Sequence, residues 1–84
     1  VGRHFRLPDG SALIMGRDAN ENAVLEAESA RGTLFDCGDL PGPTSLLLDG
    51  GKSPADREMA QRITLSYAKG HEAERARYKE FHIC

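Results

Sequence analysis

Turn chemistry at two places near the start leaves this chain few folds to choose from. The run Leu7-Pro8-Asp9-Gly10-Ser11 separates two short apolar stretches. Pro fixes φ, and Gly accepts the positive φ of a tight reversal. Phe5 and Leu7 share one parity while His4 and Arg6 share the other, so residues 4–7 and 12–15 read as a β-hairpin with one buried face and one wet face. Directly after it, Gly16-Arg17-Asp18-Ala19-Asn20-Glu21-Asn22 runs from strand into helix. Asp18 is a good N-cap, and Glu21 stands at capping-box spacing from it. A helix is expected over 18–30, with Ala23, Val24, Ala27 and Ala30 as its packed face and Gly32 as its stop.

Residues 33–36 read as a short strand. Cys37-Gly38-Asp39-Leu40-Pro41-Gly42-Pro43 is a rigid connection, because its two prolines remove the donors a central strand needs. Residues 44–48 are apolar on both parities, the mark of a central strand or one covered on both faces. Asp49-Gly50-Gly51-Lys52 reads as a loop. Ser53 then caps a second helix, with Pro54 at its first position and Asp56 at capping-box spacing. Met59, Ile63 and Tyr67 line one face beside Ala60, and Gly70 follows Lys69 as a stop. The tail reads two ways. Its composition favours helix, but Ala76 and Tyr78 alternate with Arg75, Arg77 and Lys79 as in a half-buried strand. The order ββαββα, with or without a last strand, predicts an α+β fold: a small, mostly antiparallel sheet with two helices packed on it.

The 84 residues suffice for one domain, and 39% hydrophobic content without Trp implies a thin core. The chain opens on Val1 without an apolar leader and has no run of membrane-spanning length, so it is expected to be the C-terminal part of a longer cytoplasmic protein. Cys37 and Cys84 are too few and too far apart for a zinc motif, and reduced thiols are the default. The sequence holds no P-loop, no Cys-x-x-Cys and no Ser-His-Asp pattern in a recognisable context. Neither catalytic residues, metal nor cofactor are expected in this domain. Net charge is −2, which by itself argues against nucleic acid. Its distribution is more informative: +2 over residues 1–17, −6 over 18–58 and +2 over 59–84. If the ends meet, one face is basic despite the total. The competing reading is ordinary mixed surface charge.

The hairpin turn with Asp9-Gly10, the junction Gly16-Arg17-Asp18-Ala19-Asn20-Glu21-Asn22 and the run Asp39-Leu40-Pro41-Gly42-Pro43-Thr44 together resemble the RNA-binding module of NFACT proteins. The resemblance covers nearly the whole chain. It implies a non-catalytic RNA-binding domain, tRNA being the expected partner, and tips residues 75–78 towards a closing strand. The larger NFACT proteins often carry His before and within the second motif, where Cys37-Gly38 and Pro41 stand here, so their contacts in this loop do not transfer. Leu40-Pro41-Gly42-Pro43 is similar instead to the shorter variant fused to PP-loop tRNA-thiolating enzymes of the 4-thiouridine or 2-thiouridine synthase type. The ATP-binding signature Ser-Gly-Gly-x-Asp-Ser is absent, so that chemistry is expected in an attached PP-loop domain.

The expected RNA-binding residues are Arg3, His4, Arg6, Arg17, Asn22, Thr44, Lys69, Arg75 and Arg77. Arg17, at a capped helix start, combines a guanidinium with helix N–H groups that suit phosphate, or pairs with Asp18, Asp36 or Asp39. Asn22 recognises a nucleotide or bonds loop backbone. Arg3, His4 and Arg6 form a phosphate-binding edge with His4 stacked on a base, or a charge-guarded edge strand. Thr44 and Ser45 donate to phosphate or begin a strand. Asp36 and Asp39 read as turn-stabilising. A protein-interaction or domain-packing module without RNA affinity is the alternative reading.

Overall fold

The hairpin forms where its turn chemistry puts it. In the computed structural model, which describes residues 2–48 and 53–83, β1 (Arg3–Arg6) pairs antiparallel with β2 (Ala12–Met15). Gly10 takes φ 94°, and its N–H donates to Leu7 O at 2.9 Å. The loop expected at 49–52 and the terminal Cys84 lie outside the described residues.

Two further strands, β3 (Gly32–Phe35) and β4 (Ser45–Leu48), complete a sheet of order β1-β2-β4-β3 in which every pairing is antiparallel. β4 is central, and Ser45, Leu46 and Leu47 are all buried, as its double apolar parity requires. One face of the sheet presents Phe5, Leu7, Leu13, Met15 and Leu47 to Ala60 and Ile63 of α2 (Pro54–Ser66), with Met59 and Tyr67 packed around them. The stripe read from the sequence therefore faces the core.

α1 (Ala19–Ala27) departs from expectation. It ends three residues early, a turn of 3-10 helix follows at Ser29–Arg31, and Gly32 caps that turn, not α1 itself, and opens β3. Ala23, Val24, Ala27 and Ala30 are exposed, and Leu25 is the buried side chain. α1 approaches β2 and β4. Leu25 and Leu46 are buried outside the cluster that α2 shares with the sheet. One long side chain, and not a row of methyls, makes the contact.

At both helix starts the cap holds and the reciprocal bond is redirected. Asp18 Oδ1 accepts from Glu21 N–H at 2.9 Å, but Glu21 Oε1 reaches back to Arg17 N–H at 2.8 Å, one residue beyond the cap. Ser53 Oγ accepts from Asp56 N–H at 3.2 Å, while the Asp56 carboxylate accepts from Asp9 N–H at 3.0 Å and Ser11 N–H at 3.2 Å. α2 thus begins clamped to the hairpin turn. Burial of Asp56 opposes its ionisation, but the Ser11 hydroxyl and the Asp9 and Ser11 amides outweigh that and hold its pKa below the usual aspartate value.

The tail is not a strand at 75–78. It forms 3-10 helix over Glu72–Arg77 and again over Lys79–Phe81. Arg75, Tyr78 and Phe81 are half-buried at a spacing of three, while Ala76, expected inside, is exposed. A period of two and a period of three both place Tyr78 inward, and only the longer run to Phe81 separates them. Strand pairing is confined to one bridge farther on, Phe5 with His82, followed by Ile83 N–H donating to His4 O at 2.9 Å. That contact covers part of the β1 edge.

Ile63 is fully buried, so Ile63→Ala is expected to cost on the order of 2–5 kcal/mol. An unchanged thermal melt would show that this face of α2 is not core. Asp56→Asn is expected to cost on the order of 1.5–3 kcal/mol at neutral pH, the range for bonds to a charged group. Because the folded pKa of Asp56 is depressed, its stabilisation is complete above the unfolded value near ~3.9 and is lost as pH falls through the folded value. Parent and Asp56→Asn melts should therefore converge below about pH 4. A difference that stayed constant down to pH 2 would contradict the clamp.

Candidate nucleic-acid interface

Antiparallel pairing sets Arg3 opposite Met15, Met15 opposite Ser45 and Phe35 opposite Ser45, so one row crosses the whole sheet. Beyond this row lie the junction into α1 and the loop between β3 and β4. α2 starts on the hairpin turn at the far end and finishes here, where Lys69 N–H donates to Pro41 O at 2.8 Å. Segments distant in sequence thus share one end of the molecule.

The junction is built tightly. A Cβ on Gly16 would stand 2.1 Å from Asn22 Oδ1, which accepts from Thr44 N–H at 3.2 Å. Gly16 N–H in turn donates to Thr44 O at 3.0 Å. The Gly16 and Asn22 positions thus tie α1 to the start of β4. The partners foreseen for Arg17 are not those found. Its Nη2 donates to Gly2 O at 3.1 Å, and its Nε lies 4.0 Å from Glu21 Oε1, with the side chain 56% exposed. Asp18 and Glu21 already satisfy the amides beside it. The helix start expected to receive phosphate therefore holds the chain's own carboxylates.

The cations are better organised around Tyr67, a residue the sequence offered only as core. The Arg3 guanidinium lies over its ring at 5.0 Å from the centroid and that of Arg75 at 4.5 Å. Arg75 is oriented by the end of α2, its Nε donating to Ser66 O at 3.0 Å and its Nη2 to Tyr67 O at 3.3 Å. Phe5 meets the Tyr67 ring edge-on at 6.1 Å and 73°. His82 stacks on Phe5 at 4.9 Å and 27°. Bases from the two ends of the chain therefore do meet.

Of the expected site residues, Arg3, Arg17, Asn22, Thr44, Lys69 and Arg75 share this end of the fold. Arg6 does not: it lies at the hairpin turn, where Nη1 donates to Gly10 O at 2.9 Å. Arg77 lines a separate shallow hollow with Arg62, Leu65, Glu74 and Tyr78. His4 is half-buried, and its carbonyl receives the tail. Ser45 is fully buried and accepts from Thr64 Oγ1 at 2.9 Å, so it cannot reach a ligand. Asp36 stabilises a turn as expected, accepting from Gly38 N–H at 2.9 Å. It stands at the β3 side, away from β1.

Cys37 is buried with Sγ 3.5 Å from Thr64 O. Burial first, then the charge of Asp36, pushes its thiol pKa up and away from the reactive thiolate. Among the described residues, no group of three or more His, Cys, Asp or Glu is placed to hold a metal ion. No aromatic ring among them is fully exposed. No helix among them is long and apolar enough to cross a membrane.

The family model of the NFACT protein RNA binding domain matches residues 2–81. Comparison with curated proteins and with solved structures gives no match.

Proposed function

Because the chain belongs to the NFACT RNA-binding domain family, for which RNA binding is the general function, we propose that it is a non-catalytic module for structured RNA, tRNA foremost, that presents the RNA to an attached PP-loop ATP-dependent thiolation enzyme. The observation that carries this reading is the meeting of Arg3, Arg17 and Arg75 at one end of a chain whose net charge is negative. Locally gathered guanidiniums, not total charge, decide whether phosphate is attracted. No ring among the described residues is fully exposed, which favours a folded RNA backbone over splayed bases that need aromatic platforms. The PP-loop companion rests on the likeness of Leu40-Pro41-Gly42-Pro43 to the fused variant. Its test is the coding sequence ahead of Val1, where a Ser-Gly-Gly-x-Asp-Ser run is expected. Linkage to a second RNA-contacting domain raises effective affinity without new contacts in this one.

Titration of labelled tRNA with the 84-residue chain should give a dissociation constant no tighter than roughly micromolar at low salt. Raising salt from about 50 to 200 mM should weaken it roughly tenfold or more, since each neutralised phosphate releases counterion. Arg17→Ala should weaken binding and lower the melt only slightly, since it gives up one exposed ion pair and one hydrogen bond to Gly2 O. No binding at low salt would favour the protein-interaction reading. A melt lowered by several degrees would make Arg17 a structural residue.

A further inference from the structure

The family reading does not say where phosphate is held, and the junction signature, the obvious place, is spent on structure. Asp18 takes the Glu21 amide in the first turn of α1, and Glu21 takes the Arg17 amide and also faces the Arg17 guanidinium. A phosphate arriving there would meet two carboxylates. The loop after β3 adds Asp36 and Asp39 on that side of the sheet. β1 stands at the opposite edge, and Arg3 opens it.

We infer that the Arg3–Tyr67–Arg75 stack is the phosphate-binding centre of this domain, with Arg3 and Arg75 as the two contacts to the RNA backbone and Tyr67 as the residue that positions them. This rests on the RNA-binding reading and deepens it. Three observations carry it. First, both guanidiniums lie against one ring, at 5.0 and 4.5 Å from its centroid, so the ring gathers two positive charges from distant parts of the chain. The ring's π-electrons attract each cation, and a phosphate would pair with the positive charge they carry. Second, the donors are unevenly spent. Arg75 commits Nε and Nη2 to the carbonyls that end α2 and keeps its other N–H groups. The Arg3 side chain makes no hydrogen bond or ion pair among the described residues, and its contact there is the ring. Five donors on one guanidinium are thus uncommitted. Third, the platform is rigid. Tyr67 is braced by Phe5, and Phe5 by His82, so the arginines lose less freedom on binding than they would on an open surface.

The arrangement also gives the 3-10 tail a purpose. Arg75 belongs to it, and the His82 contact that closes the tail onto β1 supports the same aromatic row. The tail therefore carries one half of the contact and braces the other.

The test is tRNA binding by the 84-residue chain as a function of salt, with Arg3→Ala, Tyr67→Leu and Arg31→Ala. Arg31 carries the same charge but lies beside Gly32, at the far end of β3. Arg3→Ala should lower affinity severalfold and reduce the slope of log affinity against log salt by about 0.7–0.9, one phosphate contact. Tyr67→Leu, which touches no phosphate, should lower affinity and slope as well, by freeing the Arg3 guanidinium while Arg75 stays tied to the main-chain carbonyls at the end of α2. Arg31→Ala should leave the slope unchanged. If Arg3→Ala binds with the parent slope, or Arg31→Ala loses as much, the inference is overturned. Arg3→Ala decides the matter even if Tyr67→Leu fails to fold, because it keeps the β1 backbone and the side chain it removes makes no hydrogen bond among the described residues. Failure of the parent chain to bind RNA would instead sink the functional reading itself.

Discussion

Asp56 fixes where α2 begins, and thereby where it ends. Its buried carboxylate takes the Asp9 and Ser11 amides, pinning the helix start to the hairpin turn. From there 13 helical residues extend roughly 20 Å, past four-residue strands of roughly 13 Å. The helix therefore overruns the sheet and delivers Tyr67 and Lys69 to the far end, where β1 starts and β2 finishes. The apolar face of α2 supplies the attraction, with Ile63 and Ala60 fully buried against the sheet. The carboxylate sets the register of that packing. An apolar stripe alone specifies a face and leaves position along the helix axis loosely defined.

The elements legible in the sequence are those with local causes. Pro8-Asp9-Gly10 made the hairpin readable, and Ser53-Pro54 made the second helix readable. Two-sided burial of β4 followed from its double parity. What was not legible depended on partners far along the chain. Asp56 has the spacing of a capping-box residue, yet its bonds go to residues more than 40 positions earlier. In α1 the alanine spacing pointed to a packed face, but the short helix buries Leu25 instead. In the tail, alternation over five residues was compatible with a strand, and the spacing of Arg75, Tyr78 and Phe81 was the signal that outweighed it.

The site was legible in composition but not in geometry. Basic ends around an acidic middle implied that separated bases would meet; Arg3 and Arg75 do, at Tyr67, while Arg6 and Arg77 lie elsewhere. Arg17 drew attention because it sits in a signature, yet that signature is largely accounted for by the close approach of Gly16 and Asn22 and by the link to Thr44. Tyr67 escaped because an aromatic residue on a helical stripe is normally core. Here it is half-buried, packing edge-on with Phe5 and also holding the guanidiniums of Arg3 and Arg75. The acids follow the same layout. Asp18 and Glu21 close the start of α1 and Asp36 closes a turn at the β3 side, while Glu72 and Glu74, the acids beside Arg75, are engaged with the Gly70 N–H and with His71. Net charge of −2 is thus compatible with a phosphate-binding surface, because the negative residues stand elsewhere or are engaged.

Backbone amide chemical-shift mapping with unlabelled tRNA added at low salt tests the central claim most directly. The structure leads to changes clustered at residues 2–3, 16–17, 67–70 and 75, around the Tyr67 ring and the ends of β1, β2 and α2. Shifts confined to Arg6, the 7–11 turn and the start of α2, with the Tyr67 end silent, would contradict it.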